Sequence, residues 1–274
     1  MDSSPTGTLL LLLNILISYR GFVNRPFFDA YKFEVDGILL HKEYKRLVSS
    51  GFLHANWLHL IFNMIALNSF CDGLSWRAGE VQVILIYFAA LLGGNLLALY
   101  FHRNHGDYSA IGASGAVSGV VFACVALDPG IRISILLLPD MPGWFFGILY
   151  VLYSIYGVRS QSDNIGHEAH LGGALVGLLA AVALNPEALR DNGLTIAAIA
   201  LPAFAFLIWI VKKPEVLLLG GHKPAKPEKF YTLDDRYNAQ KTARQQEMDR
   251  ILEKIHKKGY ESLTKEEREF LNKG

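Results

Sequence analysis

Three short stretches set nucleophilic, basic or amide side chains among apolar residues. The first reads His54-Ala-Asn-Trp-Leu-His59-Leu-Ile-Phe-Asn63. On a helix, His59 and Asn63 are four apart and share one face. His54 precedes His59 by five and diverges from it by about 140°. Two donors aimed at one point suit a developing oxyanion. Hydrogen-bond glue between helices is the alternative use of the same residues.

The second stretch is Gly112-Ala-Ser114-Gly115-Ala-Val-Ser118-Gly119. Its glycines leave the Ser114 hydroxyl sterically open. A helix starting there would offer backbone N–H groups to an anion. Gly115 and Gly119 also form a small-residue packing seam. The third stretch is Gly166-His167-Glu168-Ala-His170-Leu-Gly-Gly173-Ala-Leu-Val-Gly177. A zinc-protease pattern places its histidines four apart. His167 and His170 are three apart with no evident third ligand, so no metal site is expected. Gly173 and Gly177 make a second seam.

Two helices meeting along these seams would carry Ser114 toward His170. A serine nucleophile needs a base within hydrogen-bond reach. Asn63, His59 and the Ser114 N–H are then the candidate oxyanion donors. No acidic residue is placed to orient His170, which points to a Ser-His dyad. Such acyl transfer needs no cofactor.

The elements that must hold these residues follow from composition. The 274 residues are 51% hydrophobic and 19% charged, with a formal net charge of +1. That apolar content excludes a wholly disordered chain, and the charge balance argues against nucleic-acid binding. Of the 51 charged residues, 26 fall in the last 63 positions. A lipid-embedded body with a soluble tail divides charge in this way. A membrane-spanning helix takes about 20 mostly apolar residues. Such runs predict helices over 5–24, 57–76, 81–101, 112–128, 143–158, 168–185 and 194–211. The fourth and sixth, rich in Gly and Ala, suit close helix packing. No Lys or Arg precedes Leu9–Leu13 and no A-x-A site follows, so the first run reads as a retained helix. Cys71 and Cys124 read as packing residues.

The 25–56 segment is long enough to be functional or partly folded. After Lys212-Lys213, a linker rich in Pro, Gly and Lys leads to two capped amphipathic helices, the first opening near Thr232 and the second near Thr264. The expected organisation is a membrane core over 1–190, an added spanning helix over 191–213, and a linker with a soluble helical hairpin over 214–274.

Together the motifs resemble the rhomboid intramembrane serine proteases, over roughly residues 40–185. The resemblance implies an all-α polytopic bundle with a six-helix core. Ser114, in Gly112-Ala-Ser114-Gly115, takes the nucleophile's place, and His170, in Ala169–Gly173, the base's. His59 and Asn63 join the oxyanion hole and His54 supports it. His167 is a neighbour, and Ser118 lacks the preceding glycine of the motif. The implied substrates are single-pass or polytopic membrane proteins cleaved within the lipid bilayer, with no nucleic-acid partner. The tail pattern resembles extensions of some bacterial relatives, which implies a bacterial inner membrane. The chain departs from the family twice. Lys45-Arg46 stands where a Trp-Arg pair is usual. Ser118 stands where an aromatic packs on the histidine, so another aromatic must supply that contact.

The family's orientation places the active site outward. The positive-inside rule disagrees, because Arg25, Lys32, Lys42, Lys45 and Arg46 crowd the first loop. The side occupied by the tail turns on whether 194–211 spans. A catalytically silent membrane-protein binder is the alternative of the same architecture. A small transporter or scaffold is the alternative of another class, and it would favour internal repeats that the sequence lacks.

Overall fold

A computed structural model describes residues 3–134, 139–160 and 165–212, together with Ile251, Lys254, Thr264 and Leu271. The chain divides into two units, Met1–Gly220 and Gly221–Gly274. Apart from those four positions, the expected tail helices lie outside the described residues.

Helix α1 (Pro5–Val23) opens on Ser4, whose side chain accepts from the Gly7 N–H, with Pro5 in the first turn. Apart from Leu10, its inward face is small or polar: Thr6, Gly7, Asn14, Ser18 and Gly21 are buried. Leu9, Leu12, Leu13 and Leu16 face outward, with Leu16 64% exposed. Outward leucines are costly in water and favourable in lipid. The Asn14 amide nitrogen finds its partners inside, donating to the Leu10 carbonyl at 2.8 Å and to the Tyr87 hydroxyl at 3.2 Å.

The next segment is folded. It forms α2 (Arg25–Tyr31), β1 (Phe33–Glu34), α3 (Val35–Leu39), α4 (Arg46–Ser49) and a 3₁₀ turn over Ser50–Phe52. Elements this short cannot hold themselves together. Arg46 fastens them. It is buried, donates to the Asp29 and Lys32 carbonyls at 2.8 Å each, and bonds Glu43 at 2.6 Å. Only the arginine of the usual pair is needed for this task.

Two helices follow, α5 (Trp57–Ala78) and α6 (Glu80–His102). The short β2 (Ser109–Ala110) then pairs antiparallel with β1, in register Phe33↔Ala110. The folded loop thereby braces the approach to Ser114. Next come α7 (Ser114–Leu127), the antiparallel pair β3 (Arg132–Ile133) and β4 (Met141–Pro142), α8 (Gly143–Ser160), α9 (His167–Leu184) and α10 (Glu187–Lys212). By length and composition α1, α6, α9 and α10 can each cross a membrane, and α7 is a shorter apolar helix. A non-helical Asn192 kinks α10, and its amide donates to the Ala126 and Leu127 carbonyls at the end of α7.

The centre of the bundle is a glycine contact. A Cβ at Gly173 would lie 2.0 Å from the Gly115 carbonyl oxygen, and one at Gly177 2.3 Å from the Gly119 Cα. Helices α7 and α9 therefore touch backbone to backbone, as the paired seams predict. Helix α6 enters from the other side, where a Cβ at Gly94 would lie 2.5 Å from the Ala169 carbonyl oxygen.

Overpacking a filled interior costs about 1–3 kcal/mol. Gly173→Ala is expected to lower the unfolding midpoint in detergent. Gly193→Ala, where a Cβ would lie 4.0 Å from the Leu189 side chain, should leave it unchanged or raise it.

Candidate active site

Ser114 is the first residue of α7, and Gly112 makes its position reachable. Gly112 has φ +125°, in the region that favours glycine. A Cβ there would also lie 2.9 Å from Cε1 of His59. Gly112 thus permits both the turn into α7 and the approach of the His59 ring. Gly115 does the same for α9, because a Cβ on it would meet the Ala169 carbonyl oxygen at 3.1 Å.

Across that contact, His170 Nε2 lies 2.6 Å from Ser114 Oγ. Both residues are partly exposed, so the pair is within reach of a substrate. The first intrahelical bond of α7 runs from the Val117 N–H to the Ala113 carbonyl. The Ser114 N–H therefore precedes the helical ladder, among the groups that helices leave for other partners.

His59 and Asn63 sit on the first turns of α5. Asn56 caps that helix, accepting from the His59 N–H at 2.9 Å. Asn63 is buried and donates one amide hydrogen to the His59 carbonyl at 2.9 Å. An asparagine amide carries two donors, so the bond fixes the side chain and leaves a second hydrogen for another acceptor.

His54 occupies the connection before α5 and is fully buried. Counting protons fixes its tautomer. Ser18 Oγ gives its one hydrogen to the Phe52 carbonyl at 2.9 Å. In its 2.8 Å contact with His54 Nδ1 the hydroxyl must then accept, which puts the imidazole hydrogen on Nδ1. His54 Nε2 is left to accept from the Ala113 N–H at 3.5 Å. A neutral His54 is thus a pin between α1 and the peptide before Ser114. It also packs edge-on against His59, with ring centroids 4.9 Å apart. Its structural partner, Ser18, lies 36 positions away, and local spacing carries no signal of it.

His167 lies beside the pair. It is buried against Gly157 and sits edge-on to Tyr153 at 5.1 Å. Ser118 donates to the Ser114 carbonyl at 2.7 Å and is hydrogen-bonded to the Tyr150 hydroxyl. The Tyr150 ring lies 6.4 Å from that of His170. The aromatic expected beside His170 therefore comes from α8 rather than from α7. Sequence reasoning also missed the end of α6, where His102 stacks on Tyr108 at 3.5 Å and pairs with Glu168 at 3.3 Å.

Comparison with known proteins agrees with this architecture. Residues 41–187 match the Rhomboid domain. The chain belongs to the rhomboid family. Residues 231–273 match a family of unknown function, DUF6576. Rhomboid protein 1, mitochondrial, from Saccharomyces cerevisiae is 28% identical over 64% of this chain and 52% of its own length. Rhomboid protease GluP of Bacillus subtilis is 28% identical over 78% of this chain and 42% of its own. Rhomboid protease AarA of Providencia stuartii is 27% identical over 73% and 80%. The chain spans about half the length of the first curated relatives it matches. With its rhomboid domain and, among the described residues, four long apolar helices, it is a multi-pass integral membrane protein.

Burial, and secondarily the neighbouring His59, push the His54 imidazole down from 6.5 to about 3. Above pH 6.5 His54 is neutral in both folded and unfolded chains and contributes no slope. Between 6.5 and 3 the unfolded chain takes up a proton that the folded one refuses, so stability decreases as the pH is lowered. The unfolding midpoint should drop on acidification through that window, and His54→Asn should flatten the drop. An identical slope in the variant would remove His54 from this account.

Proposed function

We propose that the protein is an intramembrane serine endopeptidase that cleaves membrane-protein substrates through a Ser114–His170 dyad. The observation that carries this reading is the 2.6 Å contact between Ser114 Oγ and His170 Nε2. Rhomboid membership and the names of the two bacterial protease relatives support it. Both bacterial relatives align with more of the chain than the yeast protein does, which favours a bacterial cell membrane.

His170 accepts the Ser114 hydroxyl proton as Oγ attacks the scissile carbonyl carbon. The resulting oxyanion accepts from the second Asn63 amide hydrogen, the Ser114 N–H and His59. Donors fixed in advance stabilise this charge without reorganising, and the bonds holding Asn63 and Asn56 serve that end. Collapse of the intermediate breaks the C–N bond, and the proton on His170 passes to the leaving amine. A water then gives a proton to His170 and attacks the Ser114 ester. Release of the acid returns the proton to Ser114 Oγ. His54 acts by holding the Ala113 peptide, which sets the direction of the Ser114 N–H.

An intact helix buries its carbonyls in hydrogen bonds. Substrates are therefore membrane segments that unwind readily, and likeness to the rhomboid proteases implies a small residue before the cut.

Ser114→Ala and His170→Ala are each expected to abolish cleavage of a model transmembrane substrate in proteoliposomes. Full activity of Ser114→Ala would refute the assignment. Asn63→Ala should lower kcat by up to about 10²-fold with little change in KM.

A further inference from the structure

Resting on the protease reading above, we infer that Tyr150 is a positioning residue for His170. It acts from α8 and is locked by a hydrogen bond to Ser118. A histidine general base works only while its ring keeps one orientation toward the nucleophile. The bond from Nε2 to Ser114 Oγ fixes one atom of His170, and neighbouring rings bear on the plane of the imidazole. The His167 ring sits edge-on to it at 6.3 Å, and the Tyr150 ring packs beside it. Its centroid lies 6.4 Å from that of His170, with the planes 30° apart, within the range of an offset aromatic pair.

The proton count fixes the direction of the lock. The Ser118 hydroxyl has one hydrogen and gives it to the Ser114 carbonyl at 2.7 Å. In its bond with the Tyr150 hydroxyl, Ser118 must therefore accept and Tyr150 must donate. The chain of bonds runs from Tyr150 through Ser118 to the residue that carries the nucleophile. Aromatic packing holds the rest of the ring: Phe122 lies 5.2 Å away and Phe146 5.5 Å. One side chain on α8 thus refers the position of the base on α9 to the serine on α7. A residue that only filled space would not require a hydroxyl aimed at Ser118.

The test is steady-state cleavage of a model transmembrane substrate by the full chain in proteoliposomes, with unfolding midpoints measured in parallel. Tyr150→Leu fills most of the volume without ring or hydroxyl. It should lower kcat about 10-fold to 100-fold, the scale of a misplaced catalytic group, while KM stays within about twofold. Tyr150→Phe keeps the ring and should lose only about twofold to fivefold. Ser118→Ala should lose at least as much, and the Tyr150→Phe/Ser118→Ala double variant no more than Ser118→Ala alone, because the bond that Tyr150→Phe breaks is already gone there.

Wild-type kcat in Tyr150→Leu overturns the inference, as does a rise in KM at constant kcat. If Tyr150→Leu does not fold, the cycle between Tyr150→Phe and Ser118→Ala decides: additive losses, or none, overturn the lock. Wild-type cleavage that persists in Ser114→Ala would instead overturn the protease reading on which this inference stands.

Discussion

Contact between α7 and α9 without intervening side chains is the constraint from which the rest of the bundle follows. Lipid tails are as apolar as leucine, so the hydrophobic effect does not drive two helices together inside a membrane. Close van der Waals fit does, and Gly115, Gly119, Gly173 and Gly177 provide it. At this separation a serine side chain and a histidine side chain can meet directly. A wider gap would leave Ser114 and His170 bridged by water or apart. The same geometry dictates much of the remaining composition. Gly93, Gly94 and Gly172 admit α6 to the contact, while Leu9, Leu12 and Leu16 of α1 and Leu58, Ile61, Phe62 and Ile65 of α5 are turned outward.

Polar groups in such a body need partners inside it, since lipid offers none. Their partners are mostly backbone carbonyls and hydroxyls from distant segments. Asn95 donates to the Leu47 carbonyl and to Ser50, Ser18 to the Phe52 carbonyl, and Arg46 to two carbonyls of the first loop. These bonds satisfy costly groups and also organise the site. The loop that Arg46 folds pairs β1 with β2, the Gly112 N–H donates to the Ser50 carbonyl at 3.0 Å, and His54 holds Ala113. The segment leading to Ser114 is thus fixed from three directions before α7 begins.

Much of this was legible in the sequence because the membrane constraint acts on local composition. The expected runs coincide with the seven long helices among the described residues to within a few positions, apart from the start of α10. Where they fall short at a C-terminus, as at 76 and 158, Arg77 and Arg159 dilute the apolar signal just before the helix ends. The fourth run was expected from residue 112, but the positive φ of Gly112 delays the helix to Ser114. Helix α10 begins seven residues before its apolar run because it includes the polar turn up to Asn192. The pairing of Ser114 with His170 was legible because each lies beside a glycine seam, and two seams imply one interface. The bonds from Ser18 to His54 and from Tyr150 to Ser118 were not. They join residues more than 30 positions apart, and no periodicity encodes which helix supplies such a partner. The short elements of the first loop were hidden for a related reason, since a buried arginine holds them and their own propensity does not.

The central claim is that close packing of α7 and α9 makes His170 the activator of Ser114. The most direct measurement is the rate at which a fluorophosphonate probe labels the protein in native-like membranes, mapped to the modified residue. The account predicts labelling at Ser114 in the wild type and its loss in a folded His170→Ala variant. Undiminished labelling of Ser114 in His170→Ala, or labelling mapped to another serine, would contradict it.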